Sequence, residues 1–377
     1  MQTISPAIHN PSGSLRVIVT KELPGDHWKQ VLIKAGCRIE VAPGTDILDQ
    51  DSIIEWIGDR CDGAIGQLTE AWDGKLLGAL KTAGGRAYSN YAVGFNNVDV
   101  NAATSLGLPV GNTPGVLTET TAELAVALTF SASRRVVESD RYMRGGLFKG
   151  WLPTLFMGQL FKGKTVGVIG AGRIGAAYAR MMVEGHKMNL VYFDLYPNAA
   201  LESTLSDYAD FLEKQGEPRV EFRRAETVEE VLETADVVSL HTVLDPSTTH
   251  LINSERLSRM KSDAILVNTS RGPIIDEAAL VAHCQKNPDF RVGLDVFEKE
   301  PEMAPGLAEL DNVVIVPHIA SATVWTREGM ASLAAANVAA ILQGYPVWGQ
   351  GDVLPFLEGE VPAAAPSIVN AAALNLS

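Results

Sequence analysis

The stretch that most constrains this chain is Lys164 to Asp194, KTVGVIGAGRIGAAYARMMVEGHKMNLVYFD. A short apolar run, Thr165 to Ile169, meets Gly170-Ala171-Gly172-Arg173-Ile174-Gly175, a G-x-G-x-x-G. Apolar side chains follow at Ile174, Ala177, Tyr178, Met181 and Met182, the spacing of an amphipathic helix, with Gly185 as its expected C-cap. A second run, Leu190 to Phe193, stops at Asp194, nineteen positions past the last glycine. Glycine-rich turns are common, but one set between a strand and a helix with a downstream acid meets the requirements of a dinucleotide fingerprint. Gly170 would allow the tight turn, Gly172 would let a pyrophosphate approach the backbone, and Gly175 would let helix and strand pack closely. The phosphates would lie at the helix N-terminus, near Arg173 and Ile174. Asp194 would accept hydrogen bonds from both ribose hydroxyls and repel a 2′-phosphate, favouring NADH over NADPH.

At 377 residues the chain is long enough for two domains. Its net charge of −14 argues against nucleic acid as a partner and supplies no basic surface for a membrane; no apolar run reaches spanning length. An anionic substrate would therefore need a local cation. Cys37, Cys61 and Cys284 form no C-x-x-C, which points to free thiols and no thiolate metal site. The start, MQTISPAIHNPSGS, lacks a secretory apolar core and is not arginine-rich, and the end, AAALNLS, is not the S-K-L peroxisomal address.

Residues 16 to about 112 alternate strand-like and helix-like segments, which implies a parallel sheet covered on both faces. Within them Ala92-Val93-Gly94 lies in a loop after a short strand, where backbone N–H groups can meet an anion; an ordinary turn is the alternative. Thr113-Pro114-Gly115 breaks the pattern, and a long apolar helix then runs from about Thr118 to Arg135, apolar enough to be buried and a candidate for a contact between subunits. Six candidate strands follow, at 165–169, 190–193, 236–240, 264–268, 291–295 and 313–316. Six is the count of the doubly wound Rossmann sheet, whose ligands bind beyond the strands' carboxyl ends. Those ends carry the glycine loop, Asp194, His241, Asn268-Thr269-Ser270-Arg271, Asp295 and Pro317-His318. The segment 201–212 reads as an added, peripheral helix, and 327–342 as an alanine-rich helix returning to the first domain.

Three side chains carry the chemistry. Arg271 offers a permanently charged planar fork for a carboxylate. His318 titrates near working pH and suits proton transfer, and Glu300 beside it would raise its pKa and fix its tautomer. Each has a structural alternative: a helix-capping arginine, a solvated loop acid, a strand-end histidine. Their joint presence with the fingerprint is what favours hydride transfer to a small 2-oxo acid.

At these residues the sequence resembles the D-isomer-specific 2-hydroxyacid dehydrogenases. The resemblance is carried by VIGAGRIG, NTSRGPIIDEAAL, VGLDVFEKEP and VPHIASAT, with NYAVGFNNVD and NTPGVLTETTAE, in the family's order from about residue 15 to 370. It implies a Rossmann-type NAD domain, 115–318, and a flavodoxin-like α/β substrate domain, 1–114 with 319–377. It also implies Arg271, Glu300 and His318 as the catalytic set, Ala92-Val93-Gly94 as the loop for the substrate carboxylate, and Asp295 as the residue for the nicotinamide carboxamide. Thr121, His241, Thr269 and Ser270 fall among the residues expected to line the cofactor. The family is dimeric through its cofactor domains. Within it, GNTPGVLTETTAELA, GVIGAGRIGAAYARMMVEG and WTREGMA resemble the plant photorespiratory hydroxypyruvate-reducing group, which implies a peroxisomal or mitochondrial setting. A glyoxylate reductase and a NAD-sensing, corepressor-like binding protein are the rival expectations.

Overall fold

The computed structural model describes residues 4–376; Met1 to Thr3 and Ser377, on which the readings of the two chain ends partly fall, lie outside the described residues. The chain divides into two compact units, Met1–Leu117 with Ser321–Ser377, and Thr118–Ala320.

The first unit holds β1 (Ala7–His9), β2 (Leu15–Val19), β3 (Cys37–Val41), β4 (Gly63–Gly66), β5 (Ala87–Asn90) and β6 (Val110–Gly111), in the order β1-β3-β2-β4-β5-β6. From β2 onward all pairs are parallel, and that order is the flavodoxin-like 2-1-3-4-5. β1 adds an antiparallel edge against β3 that the alternation of segments did not suggest. It is a three-residue, largely exposed strand and leaves no periodic signal. Helices Gln50–Ile57, Gly74–Thr82 and Val100–Ser105 cover one face, where Ile53, Leu76, Leu80 and Ala103 pack with Ile18, Ala64 and Tyr88. Each starts at an aspartate, Asp49, Asp73 or Asp99, whose carboxylate caps the first turn. Helices His27–Lys34 and Val324–Gln343 cover the other face. The second of these runs so close to β4 that a Cβ on Gly63 would meet Val338 Cγ1 at 3.0 Å.

The second unit holds β7 (Thr165–Ile169), β8 (Asn189–Phe193), β9 (Phe222–Arg224), β10 (Val237–Leu240), β11 (Ile265–Asn268), β12 (Arg291–Leu294) and β13 (Val313–Ile315). Their order is β13-β12-β11-β10-β7-β8-β9, parallel throughout. This is the Rossmann order 3-2-1-4-5-6 with a seventh strand beyond the sixth. The count of six from sequence misses β9, an arginine-bearing edge strand with little burial. It follows that helix Ala199–Lys214 is not peripheral: it is the crossover between β8 and β9, with Leu201, Leu205, Ala209 and Leu212 buried.

Two further expectations are corrected. Helix Arg173–His186 runs through Gly185 and is closed by Lys187 in the left-handed region (φ 54°), while Gly185 is exposed. Helix Thr118–Ser133 stops before Arg135, which takes φ 54° and starts a separate helix, Val136–Arg144. The long helix lays Thr121, Ala122, Ala125, Leu128, Thr129 and Ala132 on its own unit's core, where a Cβ on Gly293 of β12 would meet Leu128 Cβ at 2.9 Å. All three cysteines are free and buried. No helix among the described residues is long and apolar enough to cross a membrane.

Candidate active site

The glycine loop is built by close approach. Gly170 takes φ 90°, and a Cβ there would sit 2.7 Å from the His241 carbonyl carbon and oxygen. A Cβ on Gly175 would lie 1.9 Å from the Gly170 oxygen. Gly172 differs: nothing lies within 4 Å of the place its Cβ would take, and its surface is open. It is the N-cap of helix Arg173–His186 and supplies no capping side chain, unlike the helices started by Asn198, Thr227, Asn253 or Asp276. The first-turn N–H groups are thus presented to an anion that comes from outside the chain. Arg173 is exposed there and Ile174 half-buried.

Asp194 sits at the end of β8 with Oδ2 accepting from the Ala171 N–H at 2.8 Å and Oδ1 from the Tyr196 N–H at 3.2 Å. The ribose-type acid is therefore tied directly to the glycine loop. At the end of β10, His241 Nε2 lies 2.9 Å from Ser239 Oγ, and its ring packs 5.2 Å from that of Tyr178. Burial lowers its pKa to about 3, so it is neutral at working pH. Thr242 Oγ1 and Thr269 Oγ1 are buried without a hydrogen-bond partner among the described residues. Orphaned hydroxyls beside an open glycine and an uncapped helix are what a bound dinucleotide would satisfy, so these residues fit NAD. Thr242 was not singled out by sequence; its place next to the β10-end His241 is the signal that could have found it. Ser270 Oγ donates to Asn268 Oδ1 at 2.8 Å, and Thr121 is buried on the helix Thr118–Ser133.

The three chemical residues come together in this unit. His318 follows β13 in the left-handed region (φ 53°), and its Nδ1 lies 2.9 Å from Glu300 Oε2. Its Nε2 has no partner among the described residues. Glu300 Oε1 accepts from the Phe297 N–H at 3.1 Å. Burial alone would raise the Glu300 pKa; His318, the Phe297 N–H and the positive charge of Arg271 outweigh it, and the net shift is downward. Arg271 follows β11 and donates from Nη1 to the Ser270 carbonyl at 2.7 Å. Its burial lowers its pKa while the charge of Glu300 acts in the opposite sense. The adjoining glycine is a spacer, since a Cβ on Gly272 would lie 1.9 Å from the Phe297 carbonyl.

Asp295 also has a structural role. It is fully buried, with Oδ1 accepting from the Ile319 N–H at 2.6 Å and Oδ2 from the Ala320 N–H at 2.9 Å, while its carbonyl accepts from the His318 N–H at 2.9 Å. It therefore holds the turn that presents His318. Burial raises its pKa against those two N–H bonds.

In the first unit, the loop after β5 has its carbonyls tied inward. Ala92 O accepts from the Thr113 N–H at 2.8 Å, Val93 O from Asn112 Nδ2 at 2.8 Å, and Gly94 O from Asn90 Nδ2 at 3.0 Å. The N–H groups of Val93 and Gly94 have no acceptor among the described residues. Asn90 and Asn112 were not singled out by sequence. Both stand at strand ends, the positional rule that found the other site residues.

A sheet with the Rossmann order, a glycine loop open to phosphates, and an Arg, Glu and His set at neighbouring strand ends define a nicotinamide-dependent oxidoreductase. Residues 126–320 match the family model for the D-isomer specific 2-hydroxyacid dehydrogenase, NAD binding domain. The chain is 59% identical to the peroxisomal glycerate dehydrogenase HPR of Arabidopsis thaliana, covering 99% of this chain and 98% of that one. It is 61% identical to the glycerate dehydrogenase of Cucumis sativus over 97% of each. Among solved structures, the TT0316 protein of Thermus thermophilus superposes with a TM-score of 0.78 at 36% identity, over 94% of this chain and all of that one. The chain belongs to the D-isomer-specific 2-hydroxyacid dehydrogenase family and is an NAD-dependent oxidoreductase acting on a small hydroxyacid.

Proposed function

We propose that this enzyme reduces hydroxypyruvate to D-glycerate with NADH, and glyoxylate to glycolate more slowly, within photorespiration. The carrying observation is the 2.9 Å pairing of His318 Nδ1 with Glu300, which leaves Nε2 as the proton-bearing atom, in the unit that holds the glycine loop. The nicotinamide, when bound, supplies the hydride to the carbonyl carbon. His318 Nε2 donates the proton to the carbonyl oxygen as the alkoxide forms, and takes it back in the reverse direction. Glu300 holds the imidazole in one tautomer and one orientation. Arg271 binds the substrate's carboxylate and carbonyl. In the first unit, the Val93 and Gly94 N–H groups are donors suited to a carboxylate. Asp295 takes the nicotinamide carboxamide with the lone pairs that its turn bonds leave over.

Asp194 supports NADH over NADPH, since a 2′-phosphate would meet its carboxylate. A homodimer through the NAD unit is supported by the exposed apolar side chains between residues 136 and 160, among them Trp151, 81% exposed, and Leu160, 77% exposed. The name of the Arabidopsis relative supports a peroxisomal setting, with the mitochondrion as the other organelle. The test of mechanism is His318→Gln: turnover should fall by roughly three orders of magnitude or more while NADH still binds. Retained turnover would overturn it.

A further inference from the structure

A peptide unit is planar and trans, so its C=O and the N–H of the next residue point in opposite directions. The Val93 carbonyl and the Gly94 N–H belong to one such plane. Whatever donates to Val93 O therefore decides where the Gly94 N–H points. That donor is Asn112 Nδ2, at 2.8 Å, from the residue that follows β6. The Ala92–Val93 plane is turned the same way by the Thr113 N–H, one residue further on.

An asparagine amide can bind either way round, so its own orientation needs a cause. Asn112 is buried, and its Oδ1 accepts from Ser367 Oγ at 2.6 Å. Ser367 is itself fixed twice by backbone: its N–H donates to Asn337 Oδ1 at 2.9 Å, and its carbonyl accepts from the Asn112 N–H. Asn337, buried in helix Val324–Gln343, closes the ring by donating to the Asn112 carbonyl at 2.9 Å. The segment around Ser367 runs antiparallel to β6, with Ile368 bridging Gly111 and the Val369 N–H reaching the Val110 carbonyl.

We infer that Asn112, oriented by Ser367 of the C-terminal segment, is a positioning residue that turns the Val93–Gly94 peptide so that its N–H faces the substrate carboxylate. The inference rests on the reading of 92–94 as the carboxylate loop. Neither residue touches the reacting atoms. In Asn112→Asp the side chain keeps its shape and can still accept from Ser367, but presents an oxygen to Val93 O. The plane then has reason to turn over and remove one hydrogen bond to a charged ligand.

The experiment is steady-state kinetics of the full-length wild type, Asn112→Asp, Ser367→Ala and Ser367→Thr, with KM for hydroxypyruvate and for NADH measured separately. Asn112→Asp should raise KM for hydroxypyruvate roughly 10- to 100-fold, the worth of one hydrogen bond to an ion, with KM for NADH unmoved. Ser367→Ala should show a smaller rise in the same parameter, and Ser367→Thr, which keeps the hydroxyl, should restore it. Unchanged KM for hydroxypyruvate in Asn112→Asp, or equal changes in both KM values, would overturn the inference. If Asn112→Asp does not fold, the Ala and Thr pair at 367 decides alone. A wild type that turns over no 2-oxo acid would instead remove the reading on which the inference rests.

Discussion

Gly272→Ala adds one methyl group between the strand ends that carry Arg271 and Glu300. Ordinary contact begins near 3.4 Å, and the new Cβ would lie 1.9 Å from the Phe297 carbonyl carbon and oxygen, so the gap is short by about 1.5 Å. The obstructing atoms are backbone, with Glu298 N a further close neighbour at 2.5 Å, and no side chain can rotate away. Either the segment carrying Arg271 or the 297–300 turn must move. Overpacking of this kind costs about 1–3 kcal/mol. For a unit of this size each kcal/mol is worth about 2–4 °C in Tm, so the drop should be about 2–12 °C. The effect on chemistry should be larger in proportion, because a displacement of about 1 Å at a reacting constellation costs about 100-fold in rate. Hydroxypyruvate turnover and NADH binding by fluorescence, measured on the same sample, separate the two consequences. The expected result is kcat/KM down about 100-fold with a smaller loss of NADH binding, since the glycine loop is built on other strands while Thr269 and Ser270 adjoin the displaced segment. Turnover within twofold of wild type would refute the claim that Gly272 sets the spacing of the site.

Glu300→Gln keeps the shape but loses the charge beside His318, and should lower kcat/KM about 10- to 100-fold, the worth of a charge-assisted hydrogen bond. Because the Glu300 pKa is depressed, its charge is lost only as pH falls through a value below the usual carboxylate range. The wild type should therefore show no loss of reductase activity attributable to this acid between pH 5 and 7; an acid limb in that window that Glu300→Gln abolishes would count against the assignment. Asp194→Ala should raise the NADPH-to-NADH ratio of kcat/KM at least about tenfold while weakening NADH, since Oδ2 also braces the Ala171 N–H. Asp236 has its pKa lowered in the fold: burial opposes this, but the Thr165 N–H, Lys261 and Lys164 prevail. A depressed folded pKa means stability present above the unfolded value near 3.9 and lost as pH falls through the folded one. Asp236→Asn should thus cost about 1–3 kcal/mol at pH 7 and progressively less toward pH 3, read as converging Tm values.

What the sequence displayed and what it hid divide along physical lines. The fingerprint was legible because Gly170 and Gly175 are steric necessities and the run between strand and helix has one reading. The candidates Arg271 and His318 stand out because the ends of parallel buried strands are marked by abrupt stops in apolar runs, as at Asn268 and Pro317. β9 was not, since an edge strand such as Phe-Arg-Arg needs no apolar alternation and is defined by its pairing with β8. Missing it turned the crossover helix Ala199–Lys214 into an apparent appendage. The helix break at Arg135 was hidden because a non-glycine residue occupies the left-handed region there, with its side chain paired to Glu138. Asn112 and Ser367 were hidden for another reason: their partners lie 19 and 255 residues away.

The most direct test of hydroxypyruvate reduction at this site is NADH oxidation by the purified enzyme with hydroxypyruvate, glyoxylate and pyruvate side by side, repeated with NADPH. The expected result is the highest kcat/KM for hydroxypyruvate with NADH, a lower value for glyoxylate, and a marked loss with NADPH. Tight NADH binding with no turnover of any 2-oxo acid would contradict it.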